Sequence, residues 1–171
     1  ILLGGDAHGH VPERLDGRDA VIASHRALAQ LLSAAFPAVR YHLPLVGNHD
    51  TWPQFSDDAQ MRETIAQLWL RGLSRQAASS FSRHGYYSQR IHGCTPSLTV
   101  VALDTNALAL PHLVHAGIKQ LHWLNATLQR TVAAGISVII AGHIAPGASH
   151  ADFASMTSSG WSGGAWSTDA E

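Results

Sequence analysis

The sequence predicts an α/β fold, with helices packed on the faces of a sheet, and three observations lead there. Short apolar runs end in Gly, Asp, Asn or His. Longer runs with apolar residues three or four apart lie between them. Hydrophobic residues make up 46% of the 171 positions and charged ones 13%, enough for one substantial core in a single domain, 1–171. Strands alternating with helices gather the polar residues at strand ends along one edge of a sheet.

Ile1 to Leu3, followed by Gly4-Gly5-Asp6, reads as the end of a buried strand that delivers an acidic side chain into a loop. Val21, Leu28, Leu31, Leu32 and Phe36 recur at helical spacing, and Pro37-Ala38 closes that helix. Tyr41 to Val46 is a second strand, running into Gly47-Asn48-His49-Asp50. Met61, Ile65, Leu68, Trp69 and Leu73 mark a second helix, with Asp57-Asp58 placed to cap its start. Gly85 to Ser88 and Leu98 to Leu103 read as strands, the latter ending in Asp104-Thr105-Asn106. Ile118, Leu121, Leu124, Leu128 and Val132 outline a third helix stopped by Gly135, and Ile136 to Ala141 is a strand feeding Gly142-His143. Trp69 and Trp123 are expected in the core, and Tyr86 and Tyr87 in strand packing. The stretch after Gly147 is rich in Ser, Gly and Ala around Trp161 and Trp166; it carries no recognisable element and is expected to be mobile or loosely packed.

Charge excludes some partners. Eleven Lys and Arg against twelve Asp and Glu give a formal net charge of -1, so no nucleic-acid-binding or anionic-membrane surface is evident. The single Cys94 excludes an internal disulfide and a cysteine-rich zinc site. No apolar run reaches transmembrane length. The chain opens without an initiator Met or a signal peptide and is expected to be a piece of something longer.

Twelve histidines are the compositional outlier. Three strand-end loops carry potential ligands: Gly5-Asp6 with His8 and His10, then Gly47-Asn48-His49-Asp50, then Gly142-His143. Carboxylate, amide and imidazole groups brought together from separate strands can surround a divalent cation, which one short loop cannot do. His25, His42, His84, His92, His112, His115, His122 and His150 lack such context and are expected at the surface or in packing; His112 and His115 are the best secondary candidates because they follow a strand end. Asn125-Ala126-Thr127 is a glycosylation sequon on a predicted helix.

The ordered set of Gly5-Asp6 with His10, Gly47-Asn48-His49-Asp50 and Gly142-His143-Ile144-Ala145-Pro146-Gly147 resembles the calcineurin-like metallophosphoesterases, specifically their acid sphingomyelinase-like branch. Leu68-Trp69-Leu70, Gly85-Tyr86-Tyr87-Ser88, Leu103-Asp104-Thr105-Asn106 and Trp123-Leu124 fit as well, so the likeness covers about residues 1 to 150. It implies an α/β/β/α metallophosphoesterase sandwich, incomplete here, that hydrolyses phosphodiester bonds with two divalent metals, zinc first. Asp6 would bridge the two ions, and Asn48 and His143 would bind the second. His49 would contact the substrate phosphate and His10 would serve as a general acid near the leaving oxygen.

The branch also carries an upstream Asp-x-His and a downstream Gly-His-x-His, and neither has room in this sequence. Asp6-Ala7-His8 can be read as that Asp-x-His, with His8 a ligand, although no second Gly-Asp then appears before Gly47. Ala145 stands where the branch usually has Pro. An endopolyphosphatase-like or nucleotide-cleaving phosphoesterase is the alternative within the branch, and a catalytically silent remnant or binding module the alternative outside it. A secreted, lysosomal or vacuolar location is implied by the resemblance alone.

Overall fold

The computed structural model describes residues 1–9 and 17–145. In chain order the elements are β1 (Leu2–Leu3), α1 (Gly17–Ala35), β2 (Leu43–Pro44), α2 (Ala59–Leu68), α3 (Arg75–His84), β3 (Tyr87–Ile91), β4 (Leu98–Leu103), α4 (Asn106–Ala109), a 3-10 turn (Pro111–Leu113), α5 (Val114–Ala133) and β5 (Ser137–Gly142). The fold is mixed α/β, as expected. β1 and β2 form a parallel pair, and a second sheet has the order β3-β4-β5. β3 runs antiparallel to β4, while β4 and β5 are parallel and joined through α5.

The expected strand at 41–46 narrows to Leu43–Pro44. The amides of Leu43 and Leu45 donate to the carbonyls of Ile1 and Leu3, so the proline falls where no donor is needed. Its own carbonyl accepts the Tyr87 hydroxyl at 2.9 Å, which ties β3 to β2. Around that bond lies the core, in which Val21, Met61, Ile65, Trp69, Phe81 and Tyr87 are almost fully buried.

α2 begins as the sequence predicts, with the Asp58 carboxylate accepting the Met61 amide at 2.9 Å. α3 was not foreseen, because its buried face is only Ala77, Ala78 and Phe81. Its caps make it legible in retrospect: Ser74 accepts the Ala77 amide, and Gly85, at φ +77°, donates to the Phe81 carbonyl.

The apolar faces of two helices depart from expectation. Of the first helical segment Val21 is buried and Leu28 and Leu32 pack against the core as expected, but Leu31 and Phe36 are exposed, and α1 also buries Gly17 and His25. In α5 the expected core residues Ile118, Leu121 and Val132 are exposed, while Gly117, Gln120, Thr127 and Thr131 are buried. Close approach explains α5. A Cβ on Gly117 would sit 2.5 Å from the Ala107 carbonyl. The Gln120 amide accepts the Asp104 N–H at 2.8 Å and donates to the Asp104 carbonyl at 2.9 Å. The helix therefore seals the end of β4 with small and polar groups. Trp69 is buried as expected; Trp123 is half-buried against Tyr86, with ring centroids 4.6 Å apart.

Candidate metal centre

Three loops at strand ends meet. β1 turns through Gly5 (φ +88°) and Asp6 (φ +53°), a left-handed stretch in which Asp is tolerated better than a branched residue. A Cβ on Gly47 would lie 2.1 Å from Asp6 Oδ1, so the second loop can press against the first only because position 47 is glycine. The third loop follows β5 and is anchored by the Ile144 amide donating to Thr105 Oγ1 at 2.7 Å.

Asp6, Asn48 and His143 are brought together. His143 Nε2 lies 2.9 Å from Asn48 Oδ1 and 3.3 Å from Asp6 Oδ2, and Asp6 Oδ1 accepts the His49 amide at 2.9 Å. His143 Nδ1 lies 2.7 Å from the Gly4 carbonyl, which can only accept, so the Nδ1 proton is committed there. In neutral imidazole Nε2 then presents a lone pair to two oxygens, an arrangement satisfied by a proton or by a cation. With a proton in that place, the hydrogen bond to Asp6 raises the His143 pKa against the opposing effect of burial. Burial likewise works to raise Asp6, but the hydrogen bonds from His143 and the His49 amide outweigh it and hold the carboxyl below its ordinary value. One carboxylate, one amide oxygen and one imidazole fit a divalent cation in chemistry, and three donors leave its shell open. Among the described residues no group of three or more His, Cys, Asp or Glu side chains gathers to hold a metal.

Sequence reasoning missed the residue that locks the loops. Asp50 is almost fully buried; its carboxylate accepts the amides of Gly47 and Asp6 on Oδ2, at 2.7 and 2.8 Å, and that of Ala7 on Oδ1 at 2.9 Å. His25 Nε2 faces the same carboxylate at 2.9 Å, while Trp69 Nε1 donates to His25 Nδ1 at 3.3 Å. A chain from α2 through α1 thus fixes both candidate ligand loops. The available signal was a histidine on the apolar face of α1, four residues after Val21. Asn106 adds a second tie, its amide donating to the Gly47 carbonyl at 3.1 Å.

The remaining candidates fall elsewhere. His49 lies beside Asp6 through its backbone, and its Nε2 is 3.3 Å from Gln54 Nε2. His8 turns to α1, with Nδ1 2.5 Å from Ser24 Oγ. His112 and His115 are exposed on the 3-10 turn and α5. His10 and the stretch from Pro146 onward, with His150, Trp161 and Trp166, lie outside the described residues.

No family model matches the chain. Over 154 residues it is 32% identical to acid sphingomyelinase-like phosphodiesterase 3b of Mus musculus. Over 156 residues it is 31% identical to sphingomyelinase phosphodiesterase C of Dictyostelium discoideum, and over 154 it is 29% identical to the human cyclic GMP-AMP phosphodiesterase SMPDL3A. Each alignment covers 86% of this chain and 34% of the relative, so the chain spans about a third of the length of the curated relatives it matches. Over most of its own length, the chain is a homologue of the acid sphingomyelinase-like phosphodiesterases.

Proposed function

We propose that the chain carries part of a phosphodiester-hydrolysing centre in which Asp6, Asn48 and His143 hold a divalent cation, zinc by resemblance, and in which Asp6 is shared with a second ion in an intact enzyme. The observation that carries this reading is the commitment of the His143 Nδ1 proton to the Gly4 carbonyl, which aims the other ring nitrogen at Asp6 and Asn48. The phosphodiester is the bond common to relatives named for sphingomyelin and for cyclic GMP-AMP.

A divalent cation bound here supplies Lewis acidity at the phosphoryl group and makes water more acidic. The protein's own part is orientation. Asp50 holds the two loops, the His49 amide fixes one oxygen of Asp6, and the His49 ring is assigned to contact with the phosphate. His10 is assigned the proton that the leaving oxygen requires, a role distinct from ligation. A secreted, lysosomal or vacuolar setting belongs to the same reading; no helix among the described residues is long and apolar enough to cross a membrane.

Titration calorimetry of the chelator-treated chain with zinc tests the donor set. One equivalent should bind and be lost in His143→Ala; no binding by the unsubstituted chain overturns the assignment. Turnover of a chromogenic phosphodiester by these 171 residues should be negligible, because beyond Asp6 the second ion's donors are assigned by resemblance to an upstream Asp-x-His and a downstream Gly-His-x-His that this sequence does not contain. Robust, chelator-sensitive turnover would mean that the ligand register is misread, with His8 the first residue to re-examine. In any active form of the protein, His10→Ala should lower turnover roughly 100-fold or more with zinc content unchanged.

A further inference from the structure

The three donors of the proposed centre come from two sheets. Asp6 and Asn48 follow β1 and β2 of the parallel pair, whereas His143 follows β5 of the other sheet. Metal–donor distances hold to within about 0.2 Å, so the two sheets must be set against each other at this edge. The bond from His143 Nδ1 to the Gly4 carbonyl crosses the gap, but it orients the ring and leaves the backbone that carries the ring to be held by other groups.

Thr105 and Asn106, at the end of β4, meet both sides. Thr105 grips the residues flanking His143: its Oγ1 accepts the Ile144 amide at 2.7 Å, and its Cγ2 packs against Gly142, where a Cβ would lie 2.4 Å from it. Asn106 reaches the other sheet, its side-chain amide donating at 3.1 Å to the carbonyl of Gly47, the residue before Asn48. These bonds fall on the neighbours of the donors, not on the donors themselves. Local chemistry would use Thr105 differently. It stands at the N-cap of α4, where a threonine hydroxyl ordinarily accepts an amide of the first turn, yet it makes no such bond and its hydroxyl serves Ile144 instead. A local preference given up at a strand end points to a longer-range duty. The platform beneath is firm. Gln120 holds the Asp104 amide and carbonyl at 2.8 and 2.9 Å, and α5 approaches α4 so closely that a Cβ on Gly117 would sit 2.5 Å from the Ala107 carbonyl.

We infer that Thr105 and Asn106 are positioning residues that set His143 against Asn48 across the two sheets. The inference rests on the reading of Asp6, Asn48 and His143 as donors to one cation. With the backbone fixed on both sides of the gap, His143 Nε2 stands 2.9 Å from Asn48 Oδ1 and 3.3 Å from Asp6 Oδ2. Donors ordered in this way lose little freedom on binding, which raises affinity without adding a contact.

The test compares two substitutions at one position in the 171-residue chain. Thr105→Val keeps the methyl against Gly142 and loses the acceptor for Ile144; Thr105→Ser keeps the acceptor and loses the methyl. Each removes one buried contact, so their thermal midpoints in chelator should fall by similar amounts. Zinc affinity by calorimetry should separate them: Thr105→Val and Asn106→Ala should weaken zinc by about tenfold or more, and Thr105→Ser by less than about threefold. A metal-free readout accompanies it. In chelator, nuclear Overhauser contacts between the His143 ring and the Asn48 side-chain amide should persist in Thr105→Ser and weaken or vanish in Thr105→Val. If zinc fails to bind the unsubstituted chain, the metal reading falls while these contacts still decide the positioning role. The inference is overturned if the contacts persist in Thr105→Val, if the two Thr105 variants lose zinc equally, if Asn106→Ala folds and binds zinc as the parent does, or if affinity simply follows the thermal midpoint.

Discussion

Asp50 shows how much one buried carboxylate can organise. Three backbone amides from two loops and one imidazole converge on it, and together they outweigh the burial that works to raise its pKa, holding it below the ordinary carboxyl value. Asp50→Ala removes an acceptor from all four donors; it should cost about 3–5 kcal/mol of stability by urea unfolding in chelator, and a loss below 1 kcal/mol would show that the loops are held by other means. Asp104 is the opposite case. Burial lifts its pKa to about 6, against the Arg62 charge and the Asn106 and Ala107 amides, with nearby Asp57 adding to the rise. Between pH 4 and 6 the native state then binds more protons than the unfolded chain, so this group's contribution is present below about pH 4 and lost as pH rises through about 6. Asp104→Asn does not titrate. Its stability relative to the parent chain should therefore improve by about 3 kcal/mol from pH 4 to pH 7, and a pH-independent difference would refute the burial argument.

At the scale of elements, the sequence showed which segments fold more reliably than which faces they bury. β4 is legible at its observed limits and the second helix by its cap, because a short run of strand-favouring apolar residues and a capping carboxylate are local signals. α5 was found but turned the wrong way. Nothing local to its sequence says that Gly117 must meet Ala107 or that Gln120 must satisfy the end of β4. The inversion predicts an unusual pair of substitutions. Leu121→Ser on the exposed face should change stability by less than about 0.5 kcal/mol, whereas Gln120→Leu, more apolar but fully buried, should cost about 2–4 kcal/mol by stranding the Asp104 amide and carbonyl. Equal effects in thermal unfolding would restore the face that apolar spacing suggests. The candidate centre has the same character. Its three loops were legible as motifs, but the bonds that assemble them join residues as far apart as Gly4 and His143, and the role of His25 depends on a helix meeting a loop 25 residues away.

Across the whole molecule, a set of exposed apolar residues gathers on α5 and β5. Val114, Ile118 and Leu121 on the helix, with Ile139 and Ile140 on the strand, are each about half exposed. β5 is also an edge within the described sheet, pairing only with β4, so apolar side chains coincide with unpaired backbone groups. An edge of this kind favours pairing with another chain, and a single charge is often enough to oppose it. The 171-residue chain should therefore associate in a concentration-dependent way in sedimentation velocity runs, and Ile140→Lys should shift the distribution toward monomer. Leu31→Lys is the control. Leu31 is more exposed than Ile140 but lies on α1, away from any strand edge, so its substitution should leave association as it was. A monomeric chain at all concentrations, or an equal response to both substitutions, would mean that the β5 edge is already protected.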